Sequence, residues 1–154
     1  MEPPNEEVYT VLIVDDNPDL LKLFAFGLPD MGNFRVVTAE DGIDGLTKFY
    51  EIQPDCIVID VVMPGLNGYQ LVRALRGDPD TANTPLIILT AMVQSRDRTT
   101  GMASGVDIYL TKPVIPSELV AAIHKAIRVG KEERRRRMEQ LARDAAQEMD
   151  SQPF

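Results

Sequence analysis

The chain has 154 residues, a formal net charge of −8 at pH 7 and 44% hydrophobic residues, which suits one globular domain with residues to spare. The acidic charge argues against broad nucleic-acid affinity, and no apolar run is long enough to span a membrane. A single cysteine cannot form an internal disulfide. We therefore expect a cytoplasmic protein with neither nucleic acid nor a membrane among its partners.

Strand-like and helix-like segments alternate five times along the sequence. Short apolar, β-branched runs predict strands at 8–14, 34–38, 56–60, 85–89 and 106–110. Amphipathic segments predict helices that begin at Pro18, at Glu40 or Asp41, at Tyr69, at Ser95 and at Pro116. The first helix is expected to end near Pro29, because proline breaks a helix. The fourth, at 95–103, carries few large apolar residues and should be weakly anchored.

This alternation predicts an α/β fold with a parallel sheet and helices on both faces. Right-handed crossovers leave few topologies, of which the doubly wound, flavodoxin-like strand order 2-1-3-4-5 is one, and we take it as the expected fold. The expected organisation is a loose arm at 1–7, an α/β unit at 8–129 and a helical tail at 130–154.

Polar residues stand where the predicted strands end. The first strand is followed by Asp15 and Asp16, the third ends in Asp60, the fourth in Thr90, and the fifth is followed by Lys112. In a parallel sheet these ends share one edge, so the side chains should converge. Crowded carboxylates are tolerable around a hard cation such as Mg²⁺, which takes oxygen ligands. With a metal and an ammonium group to neutralise charge, the expected chemistry is formation of an aspartyl phosphate.

Four short motifs in this order resemble the receiver domain of two-component response regulators, over roughly residues 8–129. They are Asp15-Asp16, the run from Asp60 to Gly65, Leu89-Thr90-Ala91 and Lys112-Pro113. The resemblance implies that Asp60 is the phosphoacceptor. It also implies Mg²⁺ as the cofactor, with Asp16 and Asp60 as ligands, Asp15 nearby through water, and the backbone carbonyl of Val62 as a further ligand.

The same resemblance assigns the remaining site residues. Thr90 and Lys112 would hold the phosphoryl oxygens, and Tyr109 would turn inward as Thr90 moves toward the phosphoryl group. The Lys112–Pro113 peptide bond would be cis. Val62 and Met92 occupy positions that tune the lifetime of the phosphate, and both are apolar here, so we expect slow self-dephosphorylation.

A receiver of this kind implies a phosphorelay switch that is not itself a turnover enzyme. A sensor histidine kinase or phosphotransfer protein would supply the phosphoryl group. Phosphorylation would then alter the face formed by the fourth helix, fifth strand and fifth helix, which would bind a downstream protein target or output domain, or a second copy in a homodimer.

Two alternatives stay open. A metal-dependent phosphohydrolase with an aspartyl nucleophile usually has an acid/base carboxylate two residues after it, but that position is Val62 here. A degenerate receiver that serves only as a phosphorylation-independent interaction module would lack part of the polar set, which is complete in this sequence. Both alternatives are therefore less favoured than the switch.

The tail is expected to form a helix that continues from the fifth helix with a hinge at Gly130. Its apolar residues lie on one narrow stripe: Met138, Leu141, Ala142, Ala145 and Met149. The arginines at 134–137 are interspersed with glutamates nearby, which favours a solvated helix face over nucleic-acid binding. The tail is expected to be a dimer helix or the stub of a linker, and it is too short for a DNA-binding or catalytic output domain.

Overall fold

The computed structural model describes residues 7–61, 68–91 and 105–151. Its strands are β1 (Tyr9–Val14), β2 (Phe34–Ala39), β3 (Cys56–Asp60), β4 (Leu86–Thr90) and β5 (Ile108–Thr111). Its helices are α1 (Pro18–Gly32), α2 (Gly42–Ile52), α3 (Gly68–Gly77) and the C-terminal helix (Pro116–Ser151). The strands form one parallel sheet in the order β2-β1-β3-β4-β5. The predicted α/β fold, its strand order and its C-terminal helical extension are therefore confirmed.

The sheet separates two apolar layers. Side chains that alternate along β1 enter different layers: Val11 and Ile13 pack with α1 and the C-terminal helix, whereas Leu12 and Val14 pack with α2 and α3. The strands β3 and β4 are buried along their whole length, which explains why they read as continuous apolar runs. Because helices cover both faces of the sheet, polar side chains can gather only where the strands end.

The expected end of the first helix near Pro29 is wrong, since α1 continues to Gly32. Pro29 lies in the last turn of α1. Its missing N–H removes one backbone hydrogen bond, the one to the carbonyl one turn back, and the helix continues past it. The helix ends instead at Asn33, which adopts the left-handed conformation (φ 58°) and donates its backbone N–H to the Pro29 carbonyl. A left-handed residue after the helix is therefore a better marker of its end than the proline.

The expected hinge at Gly130 is also absent, because one uninterrupted helix runs from Pro116 to Ser151. A Cβ built on Gly130 would lie 3.1 Å from Cγ of Pro85, so a small residue lets the helix pass close to the start of β4. A glycine inside a helix costs only about 1 kcal/mol relative to alanine, which the flanking helix formers offset.

Other boundaries shift by one or two residues. The strand β5 begins at Ile108 rather than at 106, because the turn before it includes Gly105 at a left-handed φ of 94°. The predicted arm apart from Glu7, the loop after the third strand and the predicted fourth helix at 95–103 lie outside the described residues.

Candidate phosphoacceptor and metal site

Four neighbouring strands bring the predicted polar residues to one edge of the sheet. Asp15 follows β1, and Asp60, Thr90 and Lys112 end or follow β3, β4 and β5. The pairing register fixes this edge, since Asp60 lies opposite Leu89 on β4 and Thr90 lies opposite Thr111 on β5. The backbone N–H of Lys112 then donates to the Thr90 carbonyl at 2.7 Å, which extends the ladder by one residue and directs the lysine toward β3.

Lys112 bridges two of the carboxylates. Its Nζ lies 3.1 Å from Oδ2 of Asp15 and 3.1 Å from Oδ2 of Asp60. Burial alone would lower the pKa of Lys112, but the hydrogen bonds and charges of these two aspartates outweigh it and raise the pKa above its ordinary value. The ammonium group therefore stays charged in the site at neutral pH.

The three aspartates form a cluster whose chemistry suits a hard cation. Asp15, Asp16 and Asp60 each offer a carboxylate oxygen, and these oxygens lie within 4.8 Å of one another. Asp15 and Asp60 are buried, whereas Asp16 is exposed and leaves the cluster accessible from solvent. An all-oxygen donor set with one open side fits Mg²⁺, which keeps several waters. The cluster is therefore able to hold a divalent metal ion.

Backbone contacts hold the first aspartate in place. Asp15 donates its N–H to the Ala39 carbonyl at 3.1 Å, and its Oδ1 accepts the N–H of Asn17 at 2.9 Å. The Asn17 side chain in turn accepts the N–H groups of Asp19 and Leu20, which caps α1. The start of α1 and the carboxylate of Asp15 are thus positioned by the same short turn.

A close backbone approach positions Asp60 from the other side. The first residue of α3, Gly68, donates its N–H to the Val61 carbonyl at 3.1 Å. A Cβ built on Gly68 would lie 2.5 Å from the Asp60 carbonyl oxygen and 2.7 Å from Cα of Val61. Only glycine therefore fits where α3 meets the end of β3.

Two tyrosines meet beside the site. The hydroxyl groups of Tyr109 on β5 and Tyr69 in the first turn of α3 are in hydrogen-bond contact. Both rings are partly buried against the apolar layer formed with α2 and α3, and Thr90 is fully buried at the end of β4. Sequence reasoning singled out Tyr109 but missed Tyr69, because a tyrosine early in a helix carries no signal of a cross-element contact.

Some of the predicted site residues lie together in the structure, and others lie outside the described residues. It brings together Asp15, Asp16, Asp60 and Lys112. The Lys112–Pro113 peptide bond is cis, as the resemblance implied. The carbonyl of Val62 and the side chain of Met92 lie outside the described residues.

A model of the family described as the response regulator receiver domain matches residues 11–124. The chain belongs to this family. The match begins within β1 and ends within the C-terminal helix, and it contains every residue of the aspartate cluster and Lys112. Response regulators of this family act in two-component signalling with histidine kinases and output targets.

Curated relatives of this receiver domain differ in how much of their own length the match covers. Protein PilH of Pseudomonas aeruginosa is 39% identical over 118 residues, which cover 76% of this chain and 96% of PilH. The probable transcriptional regulator ycf27 of Guillardia theta is 42% identical, and the match covers 77% of this chain and 45% of that protein. The DNA-binding regulator RpaA of Synechocystis is 37% identical, with 77% and 48% covered. The chain thus spans about half the length of ycf27 and of RpaA.

Solved structures agree with this assignment. The chemotaxis protein CheY4 of Vibrio cholerae is 31% identical, with a TM-score of 0.73, and the match covers 78% of this chain and 99% of CheY4. The BeF3-activated DrrB receiver domain is 28% identical, with a TM-score of 0.70 and coverages of 79% and 99%. Among the described helices of this receiver domain, none combines the length and apolarity needed to cross a bilayer.

Proposed function

We propose that this receiver domain is a phosphorelay switch that accepts a phosphoryl group on Asp60 from a histidine kinase or phosphotransfer protein. The observation that carries the proposal is the position of Asp60 at the end of β3, 3.1 Å from the ammonium group of Lys112 and within a three-carboxylate cluster. A carboxylate is a weak nucleophile, so it needs neighbouring positive charge to attack a phosphorus atom. This site supplies that charge.

The transfer step is a direct displacement. An Asp60 carboxylate oxygen attacks the phosphorus of a phosphohistidine, the new O–P bond forms, and the P–N bond breaks with its electron pair left on the imidazole nitrogen. Lys112 is placed to donate to a phosphoryl oxygen, and its raised pKa keeps it protonated as charge builds up. Thr90, which is buried at the end of the next strand, would bond a second phosphoryl oxygen.

Mg²⁺ is the cofactor that this donor set favours. Asp16 and Asp60 would bind it directly, with Asp15 through water and the carbonyl of Val62 completing the protein ligands. Bound Mg²⁺ neutralises negative charge on the aspartates and on the transferred group. Asp16 is the exposed member of the cluster, so an ion and its waters have access from that side.

The proposed output follows from the strands beside the acceptor. Thr90 ends β4, and Tyr109 lies on β5, so a shift of Thr90 toward a phosphoryl group reaches Tyr109 through paired strands. The face that includes β5 and the C-terminal helix would then change its affinity for a downstream protein or output domain. The match covers 48% of the DNA-binding regulator RpaA, so about half of that relative lies outside the receiver, and a DNA-binding output is one kind that such a switch would control.

A small phosphodonor such as acetyl phosphate, with Mg²⁺, tests the proposal by intact mass. The expected result is one added phosphoryl group, stable in acid and labile in base, that Asp60→Asn abolishes. Asp19→Asn is the matched control, because Asp19 is an exposed carboxylate in the first turn of α1 outside the cluster. Continuous phosphate release would instead indicate a phosphohydrolase, and the absence of any adduct on folded protein would indicate a phosphorylation-independent interaction module.

A further inference from the structure

The second half of the C-terminal helix lies beyond the buried core, although Lys131 still donates to Glu7 and Tyr9, and Arg137 donates to Asn83. Up to Ile127 the helix buries one face, including Leu119 and Ile123, against the sheet. From residue 131 to residue 149 every side chain is exposed. This exposed stretch is about 28 Å long at 1.5 Å per residue, so it is long enough to pair with another helix over several turns.

The exposed stretch carries a narrow apolar stripe. Met138, Leu141 and Met149 are 69%, 63% and 79% exposed, and Ala145 lies between them on the same side. The spacing of three and then four residues from Met138 to Leu141 to Ala145 is that of a two-helix seam. No element in the described part of the chain covers this stripe.

Charge is unevenly distributed along the same stretch. Residues 131–137 contain five basic and two acidic residues, whereas 138–149 contain one basic and three acidic residues. The ion pairs within this helix have long nitrogen–oxygen distances: Arg137 lies 3.9 Å from Glu133, and Arg143 lies 3.8 Å from Glu139. The helix is therefore basic toward its start and acidic toward its end, which makes it complementary to its own reversed copy.

We propose that the stripe binds the same stripe of a second copy of this chain, with the two helices antiparallel and the two-fold axis between residues 139 and 140. In this register Met138 of one copy packs on Leu141 of the other, because residues 138 and 141 lie at equal distances on either side of the two-fold axis. Arg137 and Asp144 flank the stripe on the same side, each one residue before a seam position (138 and 145), so Arg137 of each copy comes within two residues of level with Asp144 of the other. The interface is isologous and closes as a dimer.

The parallel arrangement is disfavoured by the same residues. In register, it would stack Arg134 on Arg134 and Glu148 on Glu148, because the alternating spacing of three and four residues places these two residues at the seam positions before Met138 and after Ala145. Like charges that face each other across an interface cost affinity, whereas the antiparallel register separates them. The proposal concerns the exposed end of the helix and does not depend on phosphorylation of Asp60.

Sedimentation of the full chain over a range of concentrations tests the dimer. We expect a monomer–dimer equilibrium that Leu141→Gln shifts to monomer, with circular dichroism used to check that the domain remains folded. Arg136→Asp is the matched control, because residue 136 lies on the side of the helix opposite the seam and should leave dimerisation unchanged. A monomer at all concentrations would overturn the proposal and leave the stripe to a partner of different sequence.

Charge exchange tests the orientation. Arg137→Asp and Asp144→Arg should each weaken the dimer by on the order of tenfold, since each variant faces like charges at two places. An equimolar mixture of the two variants should recover affinity through a heterodimer with two opposite-charge pairs. Because Arg137 also donates to Oδ1 of Asn83 at 2.7 Å, Asn83→Ala measures the loss of that bond alone. Weakening without recovery in the mixture would contradict the antiparallel register.

Discussion

The ammonium group of Lys112 lies 3.1 Å from Oδ2 of Asp60, although the two residues are separated by 52 positions in the chain. The contact exists because parallel strands end on the same side of the sheet. Asp60 ends β3, Lys112 follows β5, and only β4 lies between these two strands. Asp15 accepts a second bond from the same Nζ, so one cation holds two carboxylates together. This arrangement leads to predictions about metal binding, alkaline stability, backbone packing and the tyrosine pair.

Mg²⁺ should stabilise the folded protein through the aspartate cluster. A ligand that binds only the folded state raises the unfolding temperature as its concentration rises. We expect this rise in the wild-type protein, a much smaller one in Asp16→Asn, and a wild-type rise in Asp19→Asn. Asp16 is exposed, so its replacement removes a metal ligand without opening the core. Equal rises in all three proteins, measured by thermal unfolding, would contradict a metal site at the cluster.

The Lys112 ion pairs should stabilise the fold up to alkaline pH. Because the pKa of Lys112 is raised in the folded state by Asp15 and Asp60, its contribution is fully present below the unfolded pKa of about 10.4. That contribution is lost as the pH rises through the higher folded pKa.

The measurement is the difference in unfolding temperature between wild type and Lys112→Met. It should be constant from neutral pH to about pH 9.5 and then shrink above about pH 10.5. The exposed Lys125→Met is the control and should show no such trend. A difference between wild type and Lys112→Met that stays constant through the alkaline range would show that the two ion pairs do not contribute as described.

Gly68→Ala should destabilise the protein because the new methyl group meets backbone and not a movable side chain. The nearest atoms are the Asp60 carbonyl oxygen at 2.5 Å and Cα of Val61 at 2.7 Å. We expect a loss of about 1–3 kcal/mol in the free energy of unfolding and slower phosphorylation. Gly77→Ala, at the other end of α3, meets nothing within 4 Å and should be neutral or stabilising by up to about 1 kcal/mol. Urea unfolding of both variants decides between these outcomes.

Tyr69→Phe should free the Tyr109 ring from its hydroxyl contact with α3 while leaving the packing of residue 69 intact. If Tyr109 is the switch residue, its side-chain populations should change in the unphosphorylated protein. Methyl and aromatic NMR spectra of Tyr69→Phe, compared with Tyr50→Phe as a control on an exposed tyrosine of α2, measure this change. Identical Tyr109 signals in wild type and Tyr69→Phe would show that the contact does not restrain the ring.

The fold follows from local patterns, and so does the position of most of the site. The apolar run that ends in Asp60 and the Lys112-Pro113 pair after an apolar strand each mark a strand end, and the topology then brings those ends together. The helix end at Asn33 was missed because a left-handed backbone is set by packing as much as by residue type.

Contacts between elements were the least predictable. The Tyr69 contact with Tyr109 and the fit of Gly68 against Asp60 depend on how α3 is placed on the sheet, which no periodicity in the sequence encodes. The roles assigned to Thr90, Tyr109 and Val62 remain predictions from resemblance.

The most direct test of the central claim is to locate the phosphoryl group. Protein treated with acetyl phosphate and Mg²⁺ is reduced with borohydride, which converts an aspartyl phosphate into homoserine, and is then mapped by peptide mass spectrometry. We predict homoserine at position 60, dependent on Mg²⁺ and absent from Asp60→Asn. Homoserine at Asp15 or Asp16, or its absence from position 60 in protein that carries a phosphoryl group, would contradict the assignment of Asp60 as the phosphoacceptor.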